Sequence, residues 1–148
     1  MKKISVDMDY LVFAYQDDSP DNAYYLDTEF GDIRLVNRNL SDLKDLTDEI
    51  ELSQGRFLYV PKPPKEILLS DLRTFWETIT DKHLKDLLAL SFETGSVAST
   101  FKNILSKNPE EQERLNRYFD EKNRARVYLW LQANALDPEG HEGDKSIS

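Results

Sequence analysis

The stretch YYLDTEFGDI, residues 24–33, holds three carboxylates within six residues: Asp27, Glu29 and Asp32. Carboxylate oxygens are ligands that Mg²⁺ and Ca²⁺ prefer, so these side chains are candidate ligands for a metal-dependent hydrolase. In an extended strand Asp27 and Glu29 would share one face. The alternative is a tight turn, in which Asp27 accepts backbone N–H bonds, Gly31 takes a positive φ and Glu29 is solvated. Because no histidine or second acidic motif accompanies the cluster, the turn is favoured and no metal is assigned.

A second candidate site lies on the last predicted helix, where Lys122 and Arg126 interrupt an apolar stripe. At 100° per residue, the stripe comprises Leu115, Tyr118, Phe119, Ala125, Leu129 and Ala133. The favoured interpretation is that the stems of Lys122 and Arg126 pack, while their charged ends reach water or a buried acid. The alternative is a basic notch that binds an anion or a carboxylate of a partner.

The remaining sequence offers no signature of catalysis. The chain has no cysteine, and its two histidines, His83 and His141, fall in a helix first turn and near the C-terminus. We expect both histidines at the surface. The glycines form no phosphate-binding loop, and no Gly-x-Ser-x-Gly motif is present. We therefore predict no catalytic residue and no cofactor.

The elements that would position these residues change in kind along the chain. Asp7 or Asp9 can cap a helix that runs to about Gln16, and strands are predicted in the quoted stretch, at 33–36 and at 56–60. A short acidic helix capped by Ser41 lies between the last two strands. Four helices are then predicted at about 65–79, 81–93, 96–105 and 109–134.

These elements predict an α+β fold with a small antiparallel sheet of about three strands, flanking helices and a helical C-terminal half. The proline-rich segment at 61–64 separates the two halves. We expect one domain over residues 1–136, with a mixed part at 1–60 and a helical part at 64–136. Residues 137–148 contain almost nothing apolar, which indicates a disordered tail.

The net charge and its distribution along the chain make some classes of function less favourable than others. The net charge is −9, and residues 7–51 carry thirteen acids against three bases. Residues 102–126 are mildly basic, with seven bases and five acids. An acidic chain is repelled by phosphate backbones, which disfavours nucleic-acid binding. No apolar run approaches the length of a membrane span, and no secretory leader is recognised, so the expectation is a cytoplasmic protein.

Several short motifs, in order, carry a family likeness: the hairpin, the strand leading into Val-Pro, a Phe-Lys helix and a late Trp-Leu. The matching residues are Tyr25, Leu26, Asp27, Gly31, Asp32, Val60, Pro61, Phe101, Lys102, Trp130 and Leu131. Over about 5–135 the chain resembles the bacterial group catalogued as uncharacterised protein family zero-one-five-eight. A Gly-Ala-Phe-Arg lead of that family reads Ser-Val-Ala-Ser at 96–99 here. The resemblance implies an intracellular bacterial protein and supplies no catalytic residue.

The function that these observations favour is a non-enzymatic, acidic protein-interaction module of the bacterial cytoplasm. Its acidic region, 7–51, would recruit a basic protein partner. The run 127–131 is apolar on all sides, which predicts a homodimer through Tyr128 and Trp130. Candidate binding residues are Asp27, Glu29, Asp32, Lys122 and Arg126. The alternative function is a metal-dependent hydrolase that uses Asp27, Glu29 and Asp32.

Overall fold

The computed structural model describes residues 1–39 and 43–138. Its elements in chain order are β1 (Lys2–Ile4), α1 (Met8–Gln16), β2 (Asn22–Asp27), β3 (Ile33–Asn37), α2 (Leu43–Leu52), β4 (Phe57–Tyr59), α3 (Lys65–Glu77), α4 (Lys82–Ser91), α5 (Val97–Leu105), α6 (Pro109–Ala133) and β5 (Leu136–Pro138). The predicted α+β class is confirmed. The chain divides into two compact units. The sheet unit comprises residues 1–62 and the chain from Asn123 onward, and the helical unit comprises residues 63–122.

In the sheet unit, β2 pairs antiparallel with β3 on one side and with β4 on the other. This is the predicted three-stranded sheet. A parallel pair of β1 and β5 was not predicted, because each strand has only three residues and its partner lies more than 130 residues away. Asp137 and Pro138, which the sequence placed in a disordered tail, belong to β5. The rest of that predicted tail and the predicted cap Ser41 lie outside the described residues.

The core of the sheet unit lies between α1 and one face of the three-stranded sheet. Asp7 caps α1 by accepting the backbone N–H of Tyr10 at 3.1 Å, as predicted from the sequence. The buried face of α1 packs with Tyr24 and Leu26 of β2 and with Val127 and Leu131 of α6; its residues are Met8, Leu11, Val12, Ala14 and Tyr15. Burial of these side chains is the main stabilising contribution to this unit.

The helical unit consists of α3, α4, α5 and the first part of α6. The four predicted helices are present, each with its ends within two residues of the prediction. Their apolar stripes meet in one core formed by Leu72, Phe75, Ile79, Leu84, Leu88, Phe101, Leu105 and Leu115. Among the described residues, no helix combines the length and the hydropathy that a membrane crossing needs.

The predicted apolar stripe of the last helix is wrong in its second half. Ala125, Leu129 and Ala133 are exposed, whereas Val127 and Leu131 are buried in the core of the sheet unit. The prediction continued a single buried face along the whole helix. In the structure α6 contributes Leu115 to the core of the helical unit and its later residues to the core of the sheet unit. One helix that serves two cores need not keep one buried face.

Candidate functional site

Asp27, the last residue of β2, closes the turn that follows the strand. Its buried carboxylate accepts two bonds from Arg56, from Nε at 2.9 Å and from Nη2 at 2.8 Å. The same carboxylate accepts the backbone N–H groups of Glu29 at 2.9 Å and Phe30 at 3.3 Å. The hydrogen bonds from Arg56, followed by those from the backbone, lower the pKa of Asp27 to about 2. The carboxylate is therefore charged and fully engaged within the turn.

Gly31 fixes the position of this turn. Its φ is +85°, a conformation that side chains with a Cβ rarely adopt, so the prediction of a positive φ is confirmed. A Cβ added at Gly31 would lie 1.8 Å from the backbone oxygen of Ser5. The N–H of Gly31 donates to the carbonyl of Asp27 at 2.7 Å. Position 31 therefore needs glycine for two separate reasons, conformation and close approach.

Glu29 and Asp32 lie in the turn, not on a strand face shared with Asp27. Both side chains are exposed, and an oxygen of Glu29 lies 3.4 Å from Nε of Arg56. The expected shared strand face of Asp27 and Glu29 is wrong, because the strand ends at Asp27. Within the described residues, no group of three or more His, Cys, Asp and Glu side chains is placed to hold a metal ion. The geometry of this part of the chain therefore gives the hydrolase interpretation no support.

The turn also presents an aromatic side chain. Phe30 is 62% exposed. The guanidinium carbon of Arg56 lies 5.2 Å from the centre of the Phe30 ring and 5.1 Å from that of Phe57. These are cation–π distances, so the rings cover the charge that holds Asp27.

A polar cluster at the end of α1 was missed by sequence reasoning. Asp17 accepts the hydroxyl of Tyr24 at 2.5 Å, the amide of Asn22 at 2.8 Å and the backbone N–H of Ser19 at 3.0 Å. The bond from Tyr24 is the main cause that lowers the pKa of Asp17 to about 2. Burial, followed by the contact with Asp17, raises the pKa of Tyr24, so its hydroxyl remains a donor.

Lys62, three residues after the end of β4, completes this cluster. Its Nζ donates to the backbone carbonyls of Ala14, at 3.5 Å, and Asp17. The same Nζ lies 5.0 Å from the centre of the Tyr24 ring. A cation at the C-terminal end of α1 also interacts favourably with the helix dipole. No local sequence signal could have found this contact, because Lys62 and Asp17 are 45 residues apart.

Two exposed aromatic rings pack against the ring of Tyr24. Tyr10 is 37% exposed and Phe13 is 58% exposed, and their ring centres are 6.2 Å apart. Tyr24 contacts both rings nearly edge-on, at 6.3 and 6.5 Å. Asp9, one helical turn before Phe13, accepts Nη2 of Arg124 at 2.7 Å but keeps 87% of its side chain exposed. We call Asp9, Tyr10 and Phe13 the α1 surface.

A comparison with known protein families identifies the family of the chain. Residues 2–145 match the Uncharacterised protein family (UPF0158). The chain belongs to this family. The resemblance drawn from the hairpin, Val-Pro, Phe-Lys and Trp-Leu motifs is thus confirmed. Separate comparisons with curated proteins and with solved structures found no match.

In this UPF0158 chain the hairpin motif has an evident structural role, because Asp27 and Gly31 build the turn. The family name assigns no activity to these residues. Asp27 is buried by its own turn, so of the three predicted carboxylates only Glu29 and Asp32 reach the surface.

The two predicted basic residues of α6 are assigned to different units. Lys122 belongs to the helical unit, where its Nζ lies 5.6 Å from the centre of the Tyr118 ring. Arg126 belongs to the sheet unit, is half-buried and donates from Nη1 to Oδ1 of Asn123 at 3.0 Å. Their role as binding residues stays a prediction.

The run proposed for dimer formation is only partly covered within its own unit. Tyr128 and Trp130 are half-buried, and Trp130 packs against the core of the sheet unit. Leu129 between them is exposed. The homodimer through Tyr128 and Trp130 stays a prediction.

Proposed function

We propose that this UPF0158 chain is a non-enzymatic protein-interaction module that binds a basic protein partner through the α1 surface. The observation that carries the proposal is the pair of exposed rings, Tyr10 and Phe13, on a helix with acids at both ends. Large aromatic side chains are enriched among the residues that dominate binding energies at protein interfaces. An isolated exposed ring needs no explanation, whereas two adjoining rings make a contact patch.

The support beneath the rings favours tight binding. Tyr24 carries both exposed rings and is itself fixed by the hydrogen bond to Asp17. Side chains that are already held in place lose less conformational entropy when a partner binds. The α1 surface is therefore preorganised for contact.

The surrounding charge favours a basic partner. Residues 7–51 carry a formal charge of −10, from thirteen acids and three bases. Such a field accelerates association with a positive protein and repels phosphate backbones. Exposed ion pairs contribute only about 0–1 kcal/mol each. We therefore assign most of the affinity to Tyr10 and Phe13, and most of the association rate to the acids.

The test is affinity capture with the full-length chain immobilised in a lysate of its source cells. Captured proteins are identified by mass spectrometry, purified and titrated against the chain. The variant Tyr10→Gln/Phe13→Gln removes the rings and keeps the helix, because glutamine is a good helix former. We expect the captured partner to be lost, and the dissociation constant of the purified pair to rise at least about tenfold.

The matched control is Leu87→Gln/Leu90→Gln, which removes two exposed apolar side chains from α4 of the helical unit. This control should capture the partner as the unchanged chain does. Capture that falls when salt is raised would agree with the assigned role of the acids. The proposal fails if every captured protein is retained equally by the two double variants.

A further inference from the structure

We infer that the α1 surface receives a cationic side chain of its partner, an arginine or lysine laid over the rings of Tyr10 and Phe13. This inference rests on the proposed function and names the chemical group that the surface recognises. The faces of aromatic rings carry a negative potential that attracts such cations.

The first support is that the chain itself forms many cation–π contacts. Among the described residues, eight Lys or Arg side chains make nine cation–π contacts, since Arg56 lies over two rings. The exposed ring of Phe30 already has such a cation in Arg56. Within the same described part of the chain, no cation lies over Tyr10 or Phe13. These two rings therefore offer their faces to a cation from outside.

The second support is the arrangement beneath the rings. Lys62 lies over Tyr24 and donates to backbone carbonyls at the end of α1, so one cation is already bound at the buried ring of the cluster. The rings of Tyr10 and Phe13, inclined to each other by 38°, offer further aromatic surface on the solvent side of Tyr24. A partner's cation would therefore meet there the same ring chemistry that holds Lys62.

The third support is the charge beside the rings. Asp9 lies one turn before Phe13 on the same helix, and Asp18 is exposed two residues beyond the end of that helix. The side chain of Asp9 stays largely exposed although Arg124 binds it. A purely apolar partner would remove water from these carboxylates without replacing it, which is costly. A cation would instead pair with them, so the charge selects a cation over an apolar group.

Three synthetic peptides of equal length test the inference by titration calorimetry. Each alternates glycine with one other residue: arginine, lysine or citrulline, the last being an uncharged analogue of arginine. The variant Tyr10→Leu/Phe13→Leu keeps the apolar bulk and every charge but removes the rings. We expect the arginine and lysine peptides to bind, the citrulline peptide to bind at least about tenfold more weakly, and the double variant to weaken arginine-peptide binding by about fivefold to tenfold.

The control Tyr59→Leu removes another exposed ring of the sheet unit and should leave arginine-peptide binding unchanged. Equal binding of the arginine peptide to the unchanged chain and to Tyr10→Leu/Phe13→Leu would overturn the inference, because net charge would then explain the binding. Equal binding of the citrulline peptide would overturn it too. If no peptide binds but lysate capture still depends on Tyr10 and Phe13, this inference fails while the proposed function stands. If that dependence is absent as well, both fail.

Discussion

The sheet unit and the helical unit form their ion pairs over very different distances along the chain. In the sheet unit, the pair of Arg56 with Asp27 spans 29 residues, and the pair of Arg124 with Asp9 spans 115. In the helical unit, a comparable pair of Arg114 with Glu111 spans three residues of one helix. The helical unit also has eleven acids against nine bases, whereas the sheet unit has seventeen against ten. The sheet unit thus combines excess charge with closure by a few distant polar contacts.

This difference indicates which substitutions should destabilise each unit. A core of side chains at helical spacing spreads its stabilisation over many contacts, so a single polar change at the surface costs little. A turn closed by one buried carboxylate concentrates its stabilisation in a few atoms, and the loss of one partner leaves a buried group unpaired. We therefore expect polar and glycine substitutions to destabilise the sheet unit more than the helical unit.

The two tryptophans make the comparison measurable, because Trp76 lies in α3 of the helical unit and Trp130 in the part of α6 that belongs to the sheet unit. Trp76→Phe leaves only Trp130 as a fluorescent reporter, and Trp130→Phe leaves only Trp76. Urea unfolding of these two backgrounds then follows each unit separately.

Gly31→Val should have the largest effect. The new Cβ would overlap the backbone oxygen of Ser5 and would require a positive φ from a β-branched residue. We expect a loss of about 3 kcal/mol or more, reported by Trp130. The measurement is the urea midpoint in the Trp76→Phe background.

Two other glycines calibrate this prediction. Gly55 has a φ of +80° but an open surrounding, so Gly55→Ala should cost only about 1 kcal/mol. Gly95 of the helical unit has neither constraint, and Gly95→Ala should leave both midpoints nearly unchanged. If Gly31→Val lowers the Trp76 and Trp130 midpoints equally, the chain unfolds as one body and the two units do not differ in stability.

Asp27→Asn should have the next largest effect. The substitution keeps the size of the side chain but removes the charge that binds Arg56 and the backbone of the turn. We expect a loss of about 2 kcal/mol in the sheet unit. The matched change in the helical unit is Glu111→Gln, at a pair whose two side chains are partly exposed. That change should cost less than about 1 kcal/mol, and equal costs would remove the distinction between the two pairs.

The sequence predicts the helical unit well for the same reason that this unit tolerates polar changes. Helical periodicity is local, so Leu72, Phe75 and Leu88 could be assigned to the core from their spacing alone. The turn after β2 is also local, since Asp27 and Gly31 lie four residues apart. Leu87 of α4 is an exception, because its spacing is equally typical of a buried residue and the side chain is exposed.

Contacts between distant segments could not be read from the sequence. Nothing near Asp27 identifies Arg56 as its partner, and nothing near Tyr24 identifies Lys62. The α1 surface was missed for a related reason. Its rings sit among acids in a short helix, and only the fold shows that Tyr10 and Phe13 adjoin each other and pack against Tyr24.

Acid should weaken the sheet unit through Asp17 and Asp27, whose pKa values lie at about 2 in the folded chain. An unfolded aspartate has a pKa of about 3.9. Because the folded pKa is the lower of the two, each carboxylate contributes its stability fully above the unfolded value. That contribution is lost as the pH falls from about 5 towards about 2.

Asp17→Asn gives the smallest and most diagnostic of these effects. Asp17 is half-buried, and solvent screening reduces what its low pKa contributes, so we expect a loss of about 1 kcal/mol near neutral pH. The variant cannot titrate at position 17, so its Trp130 midpoint should fall less steeply than that of the Asp17 chain between about pH 5 and about pH 2. At the acid end of that range the two midpoints should therefore approach each other. Parallel pH dependences would mean that Asp17 does not hold Tyr24 through its charge. The ring of Tyr24 would then support Tyr10 and Phe13 by packing alone. Apolar contacts would in that case hold the end of α1, as they hold the helices of the helical unit.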